Sequence, residues 1–245
     1  MKLITSAKYR PAGNRSLALT LILAESAIEL VPNEIAGHPT VKSAARKKRK
    51  DPHHLILDQS YHHGAILKLG QSEMGRGRPD IAHFSLLLAL GSPLNAEGQL
   101  QCYIHTRDDH VIAVDSKARL PRSTDRFVSL LEQLYEEYAV PTKGPTLMSL
   151  KRQSLRNLIA EVSPESVVAL TTQGTPMLLK EITHQLAMRE KPVILVGGFS
   201  KGHFSKNALQ LATEIHRVDK RNLEAWTIVA RALYEFERAI GIKPL

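Results

Sequence analysis

The sequence predicts an α/β protein whose C-terminal third contains a parallel sheet. Residues 166–171 and 192–196 are short, almost wholly apolar runs, which is typical of buried parallel strands. A helix-start signal follows each run, Thr175-Pro176 after the first and Ser205 after the second, and a last helix is expected from Leu223. Strand, helix, strand, helix in this order indicates parallel neighbours joined by crossover helices.

The N-terminal part is predicted to contain strands, short helices and one basic segment. Residues 17–23 indicate a buried strand, and residues 24–30 can form a brief helix. Residues 41–51 include five consecutive cations, which repel each other and favour a solvated loop or hairpin tip. These cations either contact phosphate groups or only keep the protein soluble. Residues 55–57 indicate a strand, and Asp58 or Ser60 could cap a helix over 61–69.

The middle of the chain carries the segment around which we expect the protein to be organised. In residues 75–80, Gly-Arg-Gly-Arg-Pro-Asp, two glycines allow close backbone approach and Pro79 fixes its own φ. The apolar run 81–90 follows and predicts a buried helix that anchors this loop. Function is often found on such a loop, although an Arg–Asp ion pair at a helix start explains the same residues.

The next segments are predicted to form a hairpin and an arginine-rich approach to a helix. Residues 100–106 and 110–115 alternate in polarity on either side of a short polar turn. A connection at 141–145 and a helix to about residue 160 complete this part. The arginines before the helix favour phosphate contacts, because the other face of that helix is apolar. The arginines are Arg119, Arg122 and Arg126, and the apolar helix positions are Phe127, Leu130, Leu131, Leu134 and Tyr138.

Composition restricts the class of protein. With 43% hydrophobic and 23% charged residues, the 245-residue chain is typical of a globular protein with a sizeable core. Lys plus Arg outnumber Asp plus Glu by 33 to 24, a net charge of +9 that favours a polyanionic partner, RNA or DNA rather than a membrane. A single cysteine, Cys102, excludes an internal disulfide and is interpreted as packing.

We expect a cytoplasmic protein with neither a membrane partner nor a metal. Residues 1–10 contain no apolar signal region, and no apolar run approaches ~18 residues. The histidine pairs at 53–54 and 62–63 lack carboxylates at ligand spacing, and adjacent histidines point to different sides of a strand or helix.

Two loops are predicted to leave the parallel strands, at residues 171–175 and 197–204. Ligands of open α/β sheets bind beyond the carboxyl ends of the strands, and three glycines in the second loop would allow close approach. The loops match neither a P-loop nor a dinucleotide fingerprint, and the chain has no Gly-x-Ser-x-Gly elbow. The pattern alone is compatible with a small-molecule pocket or with two tight turns.

Several segments together resemble a known family. Residues 77–84, GRPDIAHF, resemble its GRPDIxH signature, and SPLN at 92–95, YIHT at 103–106 and RLPR at 119–122 match further blocks. VGGF at 196–199, Gly202 and LEAWT at 223–227 follow in the expected order. The chain is similar, over nearly its whole length, to the nucleolar-essential-protein family of ribosome-biogenesis methyltransferases in its shorter archaeal form.

The resemblance implies a SPOUT-type α/β methyltransferase fold in one domain, 1–245, with a basic insertion at about 38–54. It also implies a C-terminal trefoil knot at about 165–245, a rare exception to unknotted folds. The implied protein is a homodimer that uses S-adenosyl-L-methionine to methylate N(1) of a pseudouridine in small-subunit (16S-type) ribosomal RNA during ribosome biogenesis.

The functional residues of the family carry over to matching positions. Arg78 would contact the target nucleotide region, with Asp80 holding it, and Arg119, Arg122 and Arg126 correspond to RNA-contacting arginines. The implied cofactor-binding residues are Thr171, Thr172, Gly174, Gly197, Gly202, His203, Phe204, Val218, Asp219, Lys220, Arg221, Asn222 and Leu223.

Our catalytic hypothesis is that Arg78 stabilises charge developing on a base carbonyl as the neighbouring imide proton leaves, while Asp80 directs the guanidinium. Asp80 as a general base is the alternative, although Arg78 would lower its pKa. Two other functions stay open: a non-catalytic RNA-binding assembly factor, and an oligomeric protein whose basic patches only maintain solubility.

Overall fold

The computed structural model describes residues 19–73 and 75–242. Its strands are β1 Leu19–Ser26, β2 Leu100–Thr106, β3 His110–Val114, β4 Ala139–Val140, β5 Met148–Arg152, β6 Val167–Pro176, β7 Val193–Gly197 and β8 Glu214–Arg217. They form one sheet in the order β4-β5-β3-β2-β1-β7-β6-β8. The block β2-β1-β7-β6-β8 is parallel, and β3, β5 and β4 are added to it antiparallel.

Helices cover both faces of the sheet. In the described residues they are α1 Asn33–Ala36, α2 Pro39–Lys48, α3 Gln59–Ile66, α4 Pro79–Leu90, α5 Pro93–Ala96, α6 Thr124–Glu137, α7 Leu155–Val162, α8 Leu179–Leu186, α9 Lys206–Leu209 and α10 Ala225–Ala239. Helices α4, α6, α8 and α10 share one apolar core, and α7 and α9 pack on the opposite face. Over the described ranges, no helix has the length and apolar character needed to cross a membrane.

The predicted central helix is confirmed as α4. Pro79 occupies its first turn, where a missing N–H costs nothing, and Gly91 follows its last residue. Residues on several sides of the helix are buried, among them Ala82, Leu86 and Ala89, each 0% exposed. The helix packs against β1, β2, α6 and α10, and it therefore provides a rigid base for the loop before it.

Other sequence predictions are confirmed with small changes. Strand β1 corresponds to the predicted strand at 17–23, of which residues 17 and 18 lie outside the described residues, as do residues 1–10. The hairpin β2–β3, helix α6 and the parallel pair β6–β7 occur as expected. Asp58 caps α3, where its Oδ1 accepts a hydrogen bond from the Ser60 N–H at 2.8 Å. Cys102 is buried in the main core.

The N-terminal predictions contain three errors. Residues 24–30 form no helix, because β1 continues to Ser26 and the chain then pairs Leu30 with Ile56 in a single bridge. That bridge replaces the strand predicted at 55–57. The basic segment forms helix α2 rather than a loop, because Val41 and Ala45 are buried on one side of it.

The C-terminal predictions also need correction. Thr175 and Pro176 belong to β6, and the following helix begins at Leu179. Strand β5 replaces the first part of the helix predicted to reach about residue 160, which begins only at Leu155 as α7, and β8 was not predicted. Both strands are short and form through pairing with distant strands. Tyr138 is 62% exposed in a left-handed turn after α6, whereas Tyr135 packs against the core.

Helix α3 buries one histidine. His62 is 3% exposed, and its Nδ1 accepts a hydrogen bond from the Asp58 N–H at 3.1 Å. Burial, and then the positive charge of Lys48, lower the pKa of His62 to about 4.

This pKa predicts acid sensitivity. In the unfolded chain His62 takes up its proton near pH 6.5, which is above its folded-state pKa. The contribution of neutral, buried His62 to folding stability is therefore fully present above pH 6.5 and is lost as the pH falls toward 4. We expect the free energy of unfolding to fall by about 1–2 kcal/mol from this group between pH 7 and 5. Urea titrations across this range should show a weaker pH dependence for His62→Asn, and an unchanged one for the exposed neighbour, His63→Asn. An unaltered dependence in His62→Asn would contradict the assignment.

Candidate active site

The loop before α4 presents one directed guanidinium group. Arg78 Nε donates to Asp80 Oδ1 and Arg78 Nη2 donates to Asp80 Oδ2, both at 2.8 Å. This bidentate contact is the main reason that the pKa of Arg78 is raised above its ordinary value, and Glu224 and Asp58 add to it. Both oxygens of Asp80 are engaged, which favours a positioning role over proton abstraction.

The backbone of this loop is fixed from two sides. The Arg78 N–H donates to the Ala27 carbonyl at 3.0 Å, and the Gln59 N–H donates to the Gly77 carbonyl at 2.8 Å. Gly77 has φ +64°, and an added Cβ would lie 3.1 Å from the Gln59 nitrogen. Only glycine fits this position easily. Arg76 takes no part in the open site, because it forms a buried ion pair with Glu29.

A buried histidine connects α4 to the predicted RNA-contacting arginines. His83 is 0% exposed; its Nε2–H donates to the Pro121 carbonyl at 2.6 Å, and its ring stacks on Phe127 with centroids 4.5 Å apart. Burial is the main cause that lowers the pKa of His83. The contact fixes residues 119–126 next to α4. Within the described ranges no ion-pair partner is found for the exposed side chains of Arg119, Arg122 and Arg126.

A cleft lies between three loops at the carboxyl end of the parallel strands. It has a volume of about 100 Å³, with apolar walls that include Leu170, Val196 and Ile228. These three loops are the bulge of residues 171–174 within β6, the segment after β7 and the segment before α10. The predicted cofactor residues that line this cleft are Thr171, Thr172, Gly197, Gly202, His203, Phe204, Asn222 and Leu223.

The other predicted cofactor residues do not line the cleft. Gly174 packs on β8, where an added Cβ would lie 2.5 Å from the carbonyl carbon of His216. Leu170 and Thr175 both pair with His216, so residues 171–174 bulge out of the ladder. Val218 packs against the core, Lys220 is exposed, and Asp219 forms an ion pair with Arg221 that holds the pKa of Asp219 well below its usual range.

Several lining residues were not predicted. Ile81, in the first turn of α4, brings the loop of Arg78 and Asp80 to the edge of the cleft. Glu224 lines the cleft directly after Leu223, inside the matched LEAWT block, which could have identified it. Phe199 and Ser200 contribute from the loop after β7.

The turn that ends β1, residues 24–27 and hereafter the β1 turn, joins the arginine loop to the cleft. The Gly198 N–H donates to the Ala24 carbonyl and the Ala27 N–H donates to the Gly198 carbonyl, both at 2.9 Å. Glu25, in the left-handed region at φ +51°, accepts a hydrogen bond from the Ser205 N–H at 2.9 Å. The turn thus holds both ends of the loop after β7.

A second, larger cleft lies on the other side of the same loop. It measures about 660 Å³ and is polar, with Glu25, His105, Arg107 and Arg156 among its lining residues. No group of three or more His, Cys, Asp or Glu side chains suited to a metal ion occurs in the part of the chain that the structure describes.

A family model described as EMG1/NEP1 methyltransferase matches residues 21–237. The chain belongs to this family. Proteins named ribosomal RNA small subunit methyltransferase Nep1 are similar over most of their length. That of Pyrococcus furiosus is 42% identical over 89% of this chain and 96% of its own, and that of Thermococcus kodakarensis is 40% identical over 91% and 100%.

The structural comparison agrees with the family. Archaeoglobus fulgidus Nep1, crystallised with S-adenosylhomocysteine, superposes with a TM-score of 0.80 at 30% identity, covering 91% of this chain and 98% of that one. The expected SPOUT-type α/β methyltransferase fold is therefore confirmed, as is the resemblance drawn from the GRPDIxH, YIHT and LEAWT blocks.

Gly198 gives a test of the β1 turn. An alanine Cβ there would lie 2.0 Å from Ser26 Oγ and 2.8 Å from Ser26 Cα, so backbone must move. We expect Gly198→Ala to lower the free energy of unfolding by about 1–3 kcal/mol and the affinity for S-adenosylhomocysteine at least about tenfold. Urea titration and calorimetry measure both. The control, Gly37→Ala, has right-handed φ and open space around it. Wild-type affinity in Gly198→Ala would contradict this role of the turn.

Proposed function

We propose that the chain transfers a methyl group from S-adenosyl-L-methionine to N(1) of a pseudouridine in small-subunit ribosomal RNA, and that it acts in small-subunit biogenesis. One observation carries the proposal: the Arg78–Asp80 pair adjoins the cleft, because Ile81 one residue later lines it. The names of the relatives and the S-adenosylhomocysteine bound to the structural neighbour support it.

The chemistry of the cleft fits this cofactor. Leu170, Val196 and Phe204 offer apolar surface to a flat base, while hydroxyl and backbone groups of the three loops can meet its polar atoms. Gly174, Val218, Asp219, Lys220 and Arg221 would shape the loops from behind. The residues that would hold the cofactor are Thr171, Thr172, Gly197, Gly202, His203, Phe204, Asn222 and Leu223. The bound cofactor supplies a methyl group already activated by its sulfonium.

The chain's own contribution is positioning and charge stabilisation. Methylation of N(1) requires that the N(1) proton pass to solvent water, and the negative charge that develops then spreads onto the neighbouring carbonyl. Arg78 would donate to that oxygen, while Asp80 holds the guanidinium in one direction. Arg119, Arg122 and Arg126 would bind phosphates around a target base that is splayed out of a hairpin loop.

We further propose that the enzyme is a cytoplasmic homodimer whose C-terminal region carries the trefoil knot of its family. Exposed apolar side chains on adjacent helices support a dimer: Phe84 and Leu88 on α4 are 40% and 44% exposed, and Tyr234 on α10 is 49% exposed. Phe84 contacts Trp226 edge to face across these helices, with centroids 5.5 Å apart. A second copy of the chain would cover this surface.

Methyl transfer to matched hairpins tests the reaction and its base specificity. Two short ribosomal hairpins would differ only in one loop base, pseudouridine or uridine, and would be incubated with labelled S-adenosyl-L-methionine. We expect label only in the pseudouridine RNA, because N(1) of uridine carries the ribose and has no proton to lose. Binding of both RNAs without label in either would instead favour the non-catalytic assembly factor.

Arg78→Lys tests the geometry of the guanidinium. Lysine keeps the charge but cannot make two parallel N–H bonds to Asp80, so its ammonium has no fixed direction. We expect Arg78→Lys and Arg78→Ala to lower kcat similarly, by about 10²–10³. Single-turnover methylation at saturating RNA measures this effect separately from binding. Near wild-type kcat in Arg78→Lys would exclude the argument from guanidinium geometry.

A further inference from the structure

Helix α2 carries positive charge that the proposed active site does not use. Between Glu34 and Asp51 the chain has no acidic residue. The six cations in that interval are Lys42, Arg46, Lys47, Lys48, Arg49 and Lys50.

Two of these cations fix the helix to the body of the protein. Lys48 Nζ donates to Glu132 Oε1 at 2.6 Å, and Lys50 Nζ donates to Glu136 Oε1 at 2.9 Å. Glu132 is 1% exposed, so removing its partner would leave a buried charge unpaired. These contacts, together with the buried face of α2, hold the helix in one orientation along α6.

The other four cations have no such structural use. Lys42, Arg46, Lys47 and Arg49 are exposed, and the described residues provide no ion-pair partner for any of them. Lys42 and Arg46 are four residues apart on one side of the helix, where like charges destabilise it. Solubility alone does not require this concentration of charge on one ordered helix.

The surface of α2 continues into that of the RNA-contacting arginines. Lys47 and Tyr61 line the same surface depression. Tyr61 donates its hydroxyl hydrogen bond to Asp125 Oδ1 at 2.8 Å, and Asp125 precedes Arg126 in the first turn of α6. An RNA held at Arg126 can therefore reach α2 without crossing a gap.

We infer that α2 and the residue directly after it form a second RNA-binding surface, whose cations Lys42, Arg46, Lys47 and Arg49 bind phosphates of the stem below the methylated loop. Exposed lysines and arginines without carboxylate partners suit a regular array of phosphates. The inference rests on the proposed function, because that function supplies the RNA.

The experiment compares two charge-neutralising double variants. Arg46→Gln with Lys47→Gln changes α2, and Lys180→Gln with Lys191→Gln removes the same charge from exposed positions on α8 and before β7. Two hairpins share the loop but have either a short or an extended stem. Affinity for each is measured at several salt concentrations without cofactor.

For the extended hairpin, we expect the slope of log K against log salt to fall by roughly 1.4–1.8 in the α2 variant, about 0.7–0.9 for each lost phosphate contact. The control variant should keep the wild-type slope, and the short hairpin should show a smaller change. An unchanged slope in the α2 variant would overturn the inference and leave α2 to another partner, such as an acidic protein segment.

The proposed methylation reaction and the proposed role of α2 can be disproved independently of each other. If the wild-type chain binds RNA but methylates neither hairpin, the proposed reaction is wrong, while the salt slopes still decide the role of α2. If the α2 variant lowers the slope of log K against log salt equally for the short and the extended hairpin, the assignment of α2 to the stem is wrong. Unfolding midpoints equal to wild type show that the exposed substitutions leave the fold intact.

Discussion

The backbone hydrogen bonds of the β1 turn set the geometry of the whole site. Ala27 donates to the Gly198 carbonyl and accepts from the Arg78 N–H, so one residue links the loop that lines the smaller cleft to the loop that carries the Arg78 guanidinium. Each bond contributes only about 1 kcal/mol to stability. Their importance is positional, because an error of 1 Å between reacting groups can cost about 10²-fold in rate. The close fit of Gly198 on Ser26 leaves this turn little freedom.

Helix α4 connects the same turn to the arginines at 119, 122 and 126, which are predicted to contact RNA. Pro79 and Asp80 open the helix beside the cleft, and His83 one turn later holds the chain at Pro121. The histidine of the GRPDIxH signature is held inside the protein by stacking on Phe127 and by hydrogen bonds to Pro121 and Thr124. Its buried environment favours the neutral ring, which can still donate from Nε2. Segments more than 30 residues apart in sequence are thus placed against one rigid helix.

Prediction from the sequence succeeded where the signal was local. The apolar runs of β1, β6 and β7, the cap of α3 and the helix after Pro79 follow from periodicity and terminal residues. The basic segment was predicted as a loop because its local charge is unfavourable, whereas Glu132, 84 residues away, stabilises it as a helix. Strand β8 likewise depends on pairing with β6. For the site, motif blocks identified most of the cleft, but the bulge that turns Gly174 toward His216 and the approach of Ile81 are tertiary features.

The carboxylates pair with some of the cations and leave others unpaired, so a modest net charge produces positively charged surface only in particular places. Glu29 neutralises Arg76, Glu132 and Glu136 neutralise Lys48 and Lys50, and Asp80 directs Arg78. Cations engaged in this way stabilise the fold or are held in one direction, and they add little to the long-range field. Exposed cations without an ion-pair partner in the described residues include Arg119, Arg122 and Arg126 and the four at 42, 46, 47 and 49. The net charge of +9 alone does not distinguish the cations that are paired with carboxylates from those that are unpaired. Ion pairing distinguishes them, because a polyanion displaces water from an unpaired arginine far more easily than it displaces a buried carboxylate from a paired one.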